Sequence, residues 1–151
     1  VLKIVVYNRY IQSVPSVGFI KNFSLKRGAI ASSIAHDSHN IIAIGVEDTD
    51  IVKAINHLID QRGGIVMADQ NEIHGLPLEI AGLMTHQPAG VVAGQYKFLT
   101  EKVQELGCPF VSPFMTLSFM ALPVIPELKI TDKGLFDVQK FEYTDLYAYK
   151  K

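Results

Sequence analysis

The sequence of 151 residues predicts an α+β fold, in which two main helices pack on a mixed or antiparallel sheet within one domain. Three observations support this prediction. Short β-branched runs are bounded by turn residues, two segments show helical periodicity, and two of the runs are joined by a tight turn. The tight turn, Asp69-Gln70-Asn71, predicts a hairpin and therefore at least one antiparallel pair of strands.

The strands are predicted from apolar, β-branched segments that are four to seven residues long. Residues 8–26 are mixed and turn-prone, with Pro15 and Gly18, and no element is predicted there. The predicted strands cover residues 2–7, 28–34, 41–46, 65–68 and 73–78.

Two helices are predicted from apolar residues spaced along one helical face. The first covers residues 49–62, with Asp48 or Thr49 as its cap and Gly63-Gly64 at its end. The second follows Pro88 and ends at Gly107. The predicted stripes are Ile51, Ala54, Ile55, Leu58 and Ile59 in the first helix, and Val92, Tyr96, Leu99, Val103 and Leu106 in the second.

The last third of the chain divides into two parts of different composition. Residues 113–126 are apolar, uncharged and bounded by prolines, so we expect a short strand or irregular chain buried on both sides. From Thr131 onward the sequence is polar with interspersed aromatic residues, namely Phe136, Phe141, Tyr143, Tyr147 and Tyr149.

Composition excludes several classes of function. The formal net charge is −1 and no basic stripe is present, which argues against a nucleic-acid or anionic-membrane surface. The uncharged stretch between Glu105 and Glu127 is interrupted by four prolines and is too short between them to span a bilayer. Cys108 is the single cysteine, so an intramolecular disulfide is excluded and a cytoplasmic location is expected.

The mean hydropathy of +0.21 is high for a freely soluble domain. The chain also begins at Val1, directly at the start of the predicted strand of residues 2–7. Two interpretations are open: a piece of a larger protein whose apolar surface faces a neighbour, or a trimmed chain with a well-buried core.

The segment HDSHN, residues 36–40, places five polar residues between two apolar arms. His36 and His39 have the spacing i, i+3, which allows both imidazoles to face one point, and Asp37 could ligate a metal or orient a ring. Two histidines and one carboxylate do not complete a metal site. The alternative is a polar turn in which Asp37, Ser38 and Asn40 cap neighbouring backbone groups.

For the other histidines, the Lys26-Arg27 pair and the cysteine, an ordinary structural role is the simpler interpretation. His57 lies off its helical stripe, His74 lies in the hairpin and His86 precedes the second helix. Lys26-Arg27 is a candidate for an anion or a carboxylate partner, although a solvated pair is the simpler interpretation. Cys108 has no marked basic neighbour, which favours a structural thiol.

Several segments, in order along the chain, resemble the C-terminal domain of bacterial adenine deaminases, a branch of the amidohydrolase superfamily. The stretches are NRY at 8–10, VGFIKNFSLKRGAIASSIAHDSHNIIAIG at 17–45, GLM at 82–84, PFMTLSFMALPVIPELKITDKGLFDV at 113–138 and KFE at 140–142. The resemblance covers nearly the whole chain, so we expect residues 1–151 to form that domain.

The resemblance implies a parent enzyme that hydrolyses adenine to hypoxanthine and ammonia in purine salvage. The chemistry belongs to a (β/α)8 barrel holding divalent Mn, Fe or Zn ions, and such barrels need about 250 residues. This chain lacks a His-x-His motif, so it is expected to bind no metal and to be inactive alone. Its expected partners are the missing barrel, adenine as the parent substrate, and further copies in a homo-oligomer.

The resemblance also implies a role for HDSHN at the mouth of the barrel's active site. His36, Asp37, Ser38, His39 and Asn40 are the candidates for a catalytic contribution, with Lys26 and Arg27 as supporting residues. Two alternatives are a docking or dimerisation domain with residues 113–126 as its interface, and an independent purine- or metal-binding module.

Overall fold

A computed structural model describes residues 1–147. Residues 148–151 of the predicted domain, among them the aromatic residue Tyr149, lie outside the described part. Within residues 1–147 the elements are three helices, one short 3-10 helix and nine strands. The helices are α1 (Asp48–Asp60), α2 (Ala89–Glu105) and α3 (Pro113–Ser118), followed by a 3-10 helix (Phe119–Ala121). The strands are β1 (Leu2–Tyr7), β2 (Ser16–Ile20), β3 (Ala29–Ser32), β4 (Ile41–Gly45), β5 (Gly64–Ala68), β6 (Ile73–Pro77), β7 (Leu128–Thr131), β8 (Gly134–Asp137) and β9 (Glu142–Thr144).

The strands form two sheets. Six strands form one sheet in the order β2-β1-β4-β3-β5-β6, and β7-β8-β9 form a smaller one. Every pair in both sheets is antiparallel. The predicted α+β class is therefore confirmed, and residues 1–147 contain no (β/α)8 barrel.

The central strands are buried on both faces because a helix layer covers each side of the large sheet. Residues of β1, β3, β4 and β5 that point to one face pack against Ile51, Ala54 and Leu58 of α1. The alternate residues of the same strands form the larger core with α2, α3 and the small sheet. This two-sided burial explains why β3, β4 and β5 are nearly continuous apolar runs.

Both predicted helices form, with differences at their ends. Ile59, which was assigned to the apolar stripe of α1, is 47% exposed. The residue before α1 is Glu47, and no side chain caps the helix there, so the predicted cap at Asp48 or Thr49 is wrong. Gly63 ends α1 as expected, with its N–H donating to the carbonyl of Leu58 at 2.8 Å.

The structure of residues 113–126 differs from the predicted strand or buried irregular chain. Pro113 occupies the first turn of α3, where its missing N–H costs nothing, and the 3-10 helix follows directly. The segment is also not buried on both sides, because Met115 is 52% and Val124 66% exposed.

Strand β2 and the three strands of the small sheet were not predicted from the sequence. Strand β2 lies within the segment that was left without an element, and it pairs with β1 at the edge of the large sheet. Gly18 lies at its centre, where a Cβ would sit 3.3 Å from side-chain atoms of Ile130 and Leu135, which is closer than ordinary van der Waals contact. Strands β7 and β8 of the small sheet thus pack against the glycine.

The large sheet has two ends, and the distinction matters for the site. One of them is called the turn end: β1 ends there at Tyr7, β3 ends there at Ser32, and β4 begins there at Ile41. These strand ends lie together because Tyr7 pairs with Ile41 and Ser32 pairs with Ile42.

Among residues 1–147, no helix combines the length and apolar character that crossing a bilayer requires.

Candidate functional site

The HDSHN segment forms the turn that connects β3 to β4 at the turn end. The backbone reverses there with the N–H of His39 donating to the carbonyl of Ala35 at 2.6 Å, and His39 has a φ of 53°. Asp37 and Ser38 are exposed, whereas Asn40 is 2% exposed. The segment is therefore a polar turn whose tip faces solvent and whose last residue is buried.

The turn brings the two histidine rings together. The ring centroids of His36 and His39 lie 6.0 Å apart, with their planes at 71°. The ring of His36 also lies 5.2 Å from that of Phe119, and its backbone N–H donates to the carbonyl of Ser118 at 3.2 Å. The end of α3 and the 3-10 helix that follows thus hold His36 against the domain while its ring stays partly exposed.

Two buried polar atoms of the turn have hydrogen-bonding capacity that residues 1–147 do not use. They are Nδ1 of His39 and Oδ1 of Asn40. Leaving a buried donor or acceptor without a partner costs about 1–3 kcal/mol, so such atoms are uncommon and often mark functional positions. Both atoms are shielded from solvent, so the turn carries two polar atoms that no described residue satisfies.

The turn does not form a metal site by itself. No group of three or more His, Cys, Asp and Glu side chains within residues 1–147 is arranged to hold a metal ion. A zinc-type site needs at least three protein ligands, and His36 with His39 provides two.

The NRY segment after β1 connects this turn to two other loops at the same end. The side-chain amide of Asn8 donates to Oδ2 of Asp132 at 2.8 Å. Nη2 of Arg9 donates to the carbonyl of Ala81 at 2.5 Å. The hydroxyl of Tyr10 donates to the carbonyl of Ser38 at 2.9 Å. Three consecutive residues thus fix three loops that are distant in sequence.

Ser33 connects the same loops from inside the protein. Its hydroxyl donates to the carbonyl of Gly82 at 2.5 Å and accepts from the N–H of Gly64 at 2.8 Å. The side chain is fully buried, so these bonds satisfy polar groups that water does not reach. Arg9, Tyr10 and Ser33 were not singled out in the sequence; their presence in the resembling stretches was the available signal.

Lys26 and Arg27 are not brought to the turn. They precede β3, whereas HDSHN follows it, so they lie at the opposite end of the sheet. Nε of Arg27 lies 3.2 Å from Oδ2 of Asp69 in the turn of the β5–β6 hairpin. Arg27 therefore supports the hairpin, whereas Lys26 donates its backbone N–H to the carbonyl of Leu106 at 2.8 Å.

The remaining histidines and the cysteine lie outside this site. His74 contacts Glu72 at 2.9 Å between Nε2 and Oε2, His86 contacts Glu79, and His57 is half-buried on α1. Cys108 is buried, and this burial raises the pKa of its thiol, as expected for a structural cysteine.

Comparison with known proteins identifies the family. The family model described as the adenine deaminase C-terminal domain matches residues 1–142. This chain belongs to that family. It is 57% identical over 148 residues to an adenine deaminase of Methanosarcina barkeri, covering 98% of this chain and 27% of the relative. Adenine deaminases of Archaeoglobus fulgidus and Salinibacter ruber are 51% and 49% identical over 150 residues, again covering 98% of this chain and 27% of each relative.

The chain therefore spans about a quarter of the length of the adenine deaminases that it matches. It corresponds to their C-terminal domain, and the rest of such a polypeptide lies outside this sequence. The stretches NRY, HDSHN and GLM, which are far apart in the sequence, meet at the turn end through Arg9, Tyr10 and Ser33.

Proposed function

We propose that this domain belongs to an enzyme that hydrolyses adenine to hypoxanthine and ammonia in purine salvage, and that its turn end faces the catalytic portion. The observation that carries the proposal is the meeting of the NRY, HDSHN and GLM stretches at one end, with Nδ1 of His39 and Oδ1 of Asn40 buried and unpaired. The relatives' name, adenine deaminase, supplies the reaction.

The catalytic metal belongs, in this proposal, to the missing portion. Residues 1–147 offer no set of three ligands, so they do not fit a divalent Mn, Fe or Zn centre of their own. Such an ion would supply a metal-activated hydroxide in an amidohydrolase barrel. That this chain binds no metal and is inactive alone stays a prediction, as do a cytoplasmic location and a homo-oligomeric state.

The turn is suited to polar contacts at the edge of an active site. His36 is partly exposed beside His39, and an imidazole can donate a hydrogen bond or carry a proton near neutral pH. Asp37 and Ser38 are exposed at the tip, and Asn40 lies beneath it. In this arrangement His36 and His39 contact the purine or hold the closed state of the enzyme, with the other three residues shaping the turn.

A structural docking role is the second candidate. The uncharged segment after α2 exposes Met115, Phe119, Val124 and Ile125 by 52%, 37%, 66% and 41%. Exposed apolar side chains within one segment suit a contact with the rest of the polypeptide. In this reading HDSHN is a turn without a catalytic contribution.

Substitution of the two histidines in the full-length enzyme distinguishes the candidates. His36→Ala and His39→Ala are expected to lower kcat by about 100-fold, the lower limit for loss of general acid–base catalysis, with little change in thermal stability. His74→Ala is the control, since His74 lies in the β5–β6 hairpin on the edge strand. Unchanged kinetics in both variants would refute the catalytic role and favour docking alone.

A further inference from the structure

A pocket of about 320 Å³ opens at the turn end between the end of β1, the loop after β3 and the last turn of α1. Two arginines, Arg9 and Arg62, contribute to its walls. None of the described residues that line it is acidic, since the others are Tyr7, Ser33, Ile41, Leu58, Ile59 and Gly63. The pocket is therefore positively charged and otherwise mostly apolar.

The charge of this pocket is not balanced within the described part of the chain. Neither Arg9 nor Arg62 forms an ion pair with a carboxylate of residues 1–147. Asp60, two residues before Arg62, is exposed and does not line the pocket. The carboxyl end of α1 contributes about half a negative charge, which leaves a net charge of roughly +1.5.

Arg9 is held in place by contacts that leave part of its guanidinium unused. Nη2 donates to the carbonyl of Ala81, and Cζ lies 5.0 Å from the ring centroid of Tyr10. Nη2 also donates to the hydroxyl of Tyr10 at 3.3 Å, and the unpaired Nε is enclosed by the domain, so Nη1, which donates to no described residue, is the nitrogen left for a ligand. A guanidinium offers paired N–H donors that match the two oxygens of a carboxylate or phosphate. An arginine that is fixed but incompletely paired is preorganised for such a group.

The other polar groups of the pocket do not compete for this role. The hydroxyl of Ser33 already donates to Gly82 and accepts from Gly64, so its proton is not available to a ligand. The volume lies at the lower end of the range for small-molecule sites, about 300–1,000 Å³.

We propose that this pocket binds an oxyanion, a carboxylate or a phosphate group, between Arg9 and Arg62. The inference goes beyond the proposed deaminase function, because adenine carries no negative charge. Two sources of the anion share this chemistry: a free small anion, and an Asp or Glu side chain from the rest of the polypeptide.

Titration with inorganic phosphate at low ionic strength tests the proposal. The 151-residue chain is expected to bind phosphate, and Arg62→Gln to weaken binding at least tenfold. Lys21→Gln is the matched control, since it removes one exposed positive charge at the opposite end of the sheet, next to Ile20, which pairs with Leu2. Arg9→Gln is expected to act like Arg62→Gln, but Arg62 decides the test because it is exposed and its removal does not endanger the fold.

The same titration of the full-length protein identifies the source of the anion. If the full-length protein also binds phosphate, the pocket takes a free anion. If the 151-residue chain binds phosphate and the full-length protein does not, the pocket is occupied by a carboxylate of the remaining polypeptide. Absence of phosphate binding to the 151-residue chain overturns the proposal. Equal affinity in the wild type and Arg62→Gln overturns it too.

Discussion

The phenolic oxygen of Tyr10 lies 2.9 Å from the backbone carbonyl oxygen of Ser38, and this hydrogen bond joins the segment after β1 to the tip of the HDSHN turn. The side chain of Tyr10 is 61% exposed, so the bond competes with water and its net contribution is modest. Because the bond lies at the tip of the turn, we expect its loss to affect the local stability of the turn more than the free energy of unfolding of the whole domain.

Tyr10→Phe is expected to loosen the turn while lowering global stability by about 0.5 kcal/mol. Hydrogen exchange of the His39 amide, which donates to Ala35, is expected to accelerate severalfold, while amides in β3 and β4 keep their protection. Tyr147→Phe removes another exposed hydroxyl and provides the control. Unaltered exchange at His39 would show that this bond does not hold the turn.

Ser33→Ala is expected to destabilise the domain by about 1–3 kcal/mol, because it leaves the buried N–H of Gly64 and carbonyl of Gly82 without this partner. Urea unfolding of both proteins measures the difference. Ser38→Ala, at an exposed hydroxyl, is expected to change stability by less than about 0.5 kcal/mol. Equal midpoints for the Ser33 and Ser38 variants would contradict the assigned role of Ser33.

The elements that the sequence predicts correctly are those with a strong local pattern. Helices α1 and α2 have apolar residues at the helical period, and strands β1, β3, β4, β5 and β6 lie in short apolar runs bounded by turn residues. Strand β2 lacks such a pattern, because Gly18 replaces the inward apolar residue where Ile130 and Leu135 approach. That approach joins residues more than a hundred positions apart, and no local window contains it.

The candidate site, too, was predicted from the sequence only where its residues form a local pattern. HDSHN is conspicuous because five polar residues interrupt two apolar arms. Arg9 and Ser33 look ordinary in the sequence, since their partners Ala81 and Gly82 lie 72 and 49 positions away. The grouping of Lys26 and Arg27 with the turn rested on closeness in sequence, yet an entire strand separates them from it.

The acid sensitivity of the fold is expected to depend on Asp69 in the β5–β6 hairpin. The N–H of Asn71, and then that of Glu72, donates to the Asp69 carboxylate and lowers its pKa, with Arg27 adding to the effect and burial opposing it. Because the folded pKa lies below the unfolded value of about 3.9, the carboxylate stabilises the fold above that pH. This stabilisation is lost as the pH falls through the folded pKa.

Asp69→Asn is therefore expected to lower the free energy of unfolding at pH 7 and to flatten its decline between about pH 5 and pH 2. Urea unfolding across this range measures both effects, with the two proteins converging at the acid end. Glu101→Gln, at an exposed residue of α2, is expected to leave the profile unchanged. Parallel profiles for Asp69→Asn and the wild type would show that the charge of this carboxylate does not stabilise the hairpin.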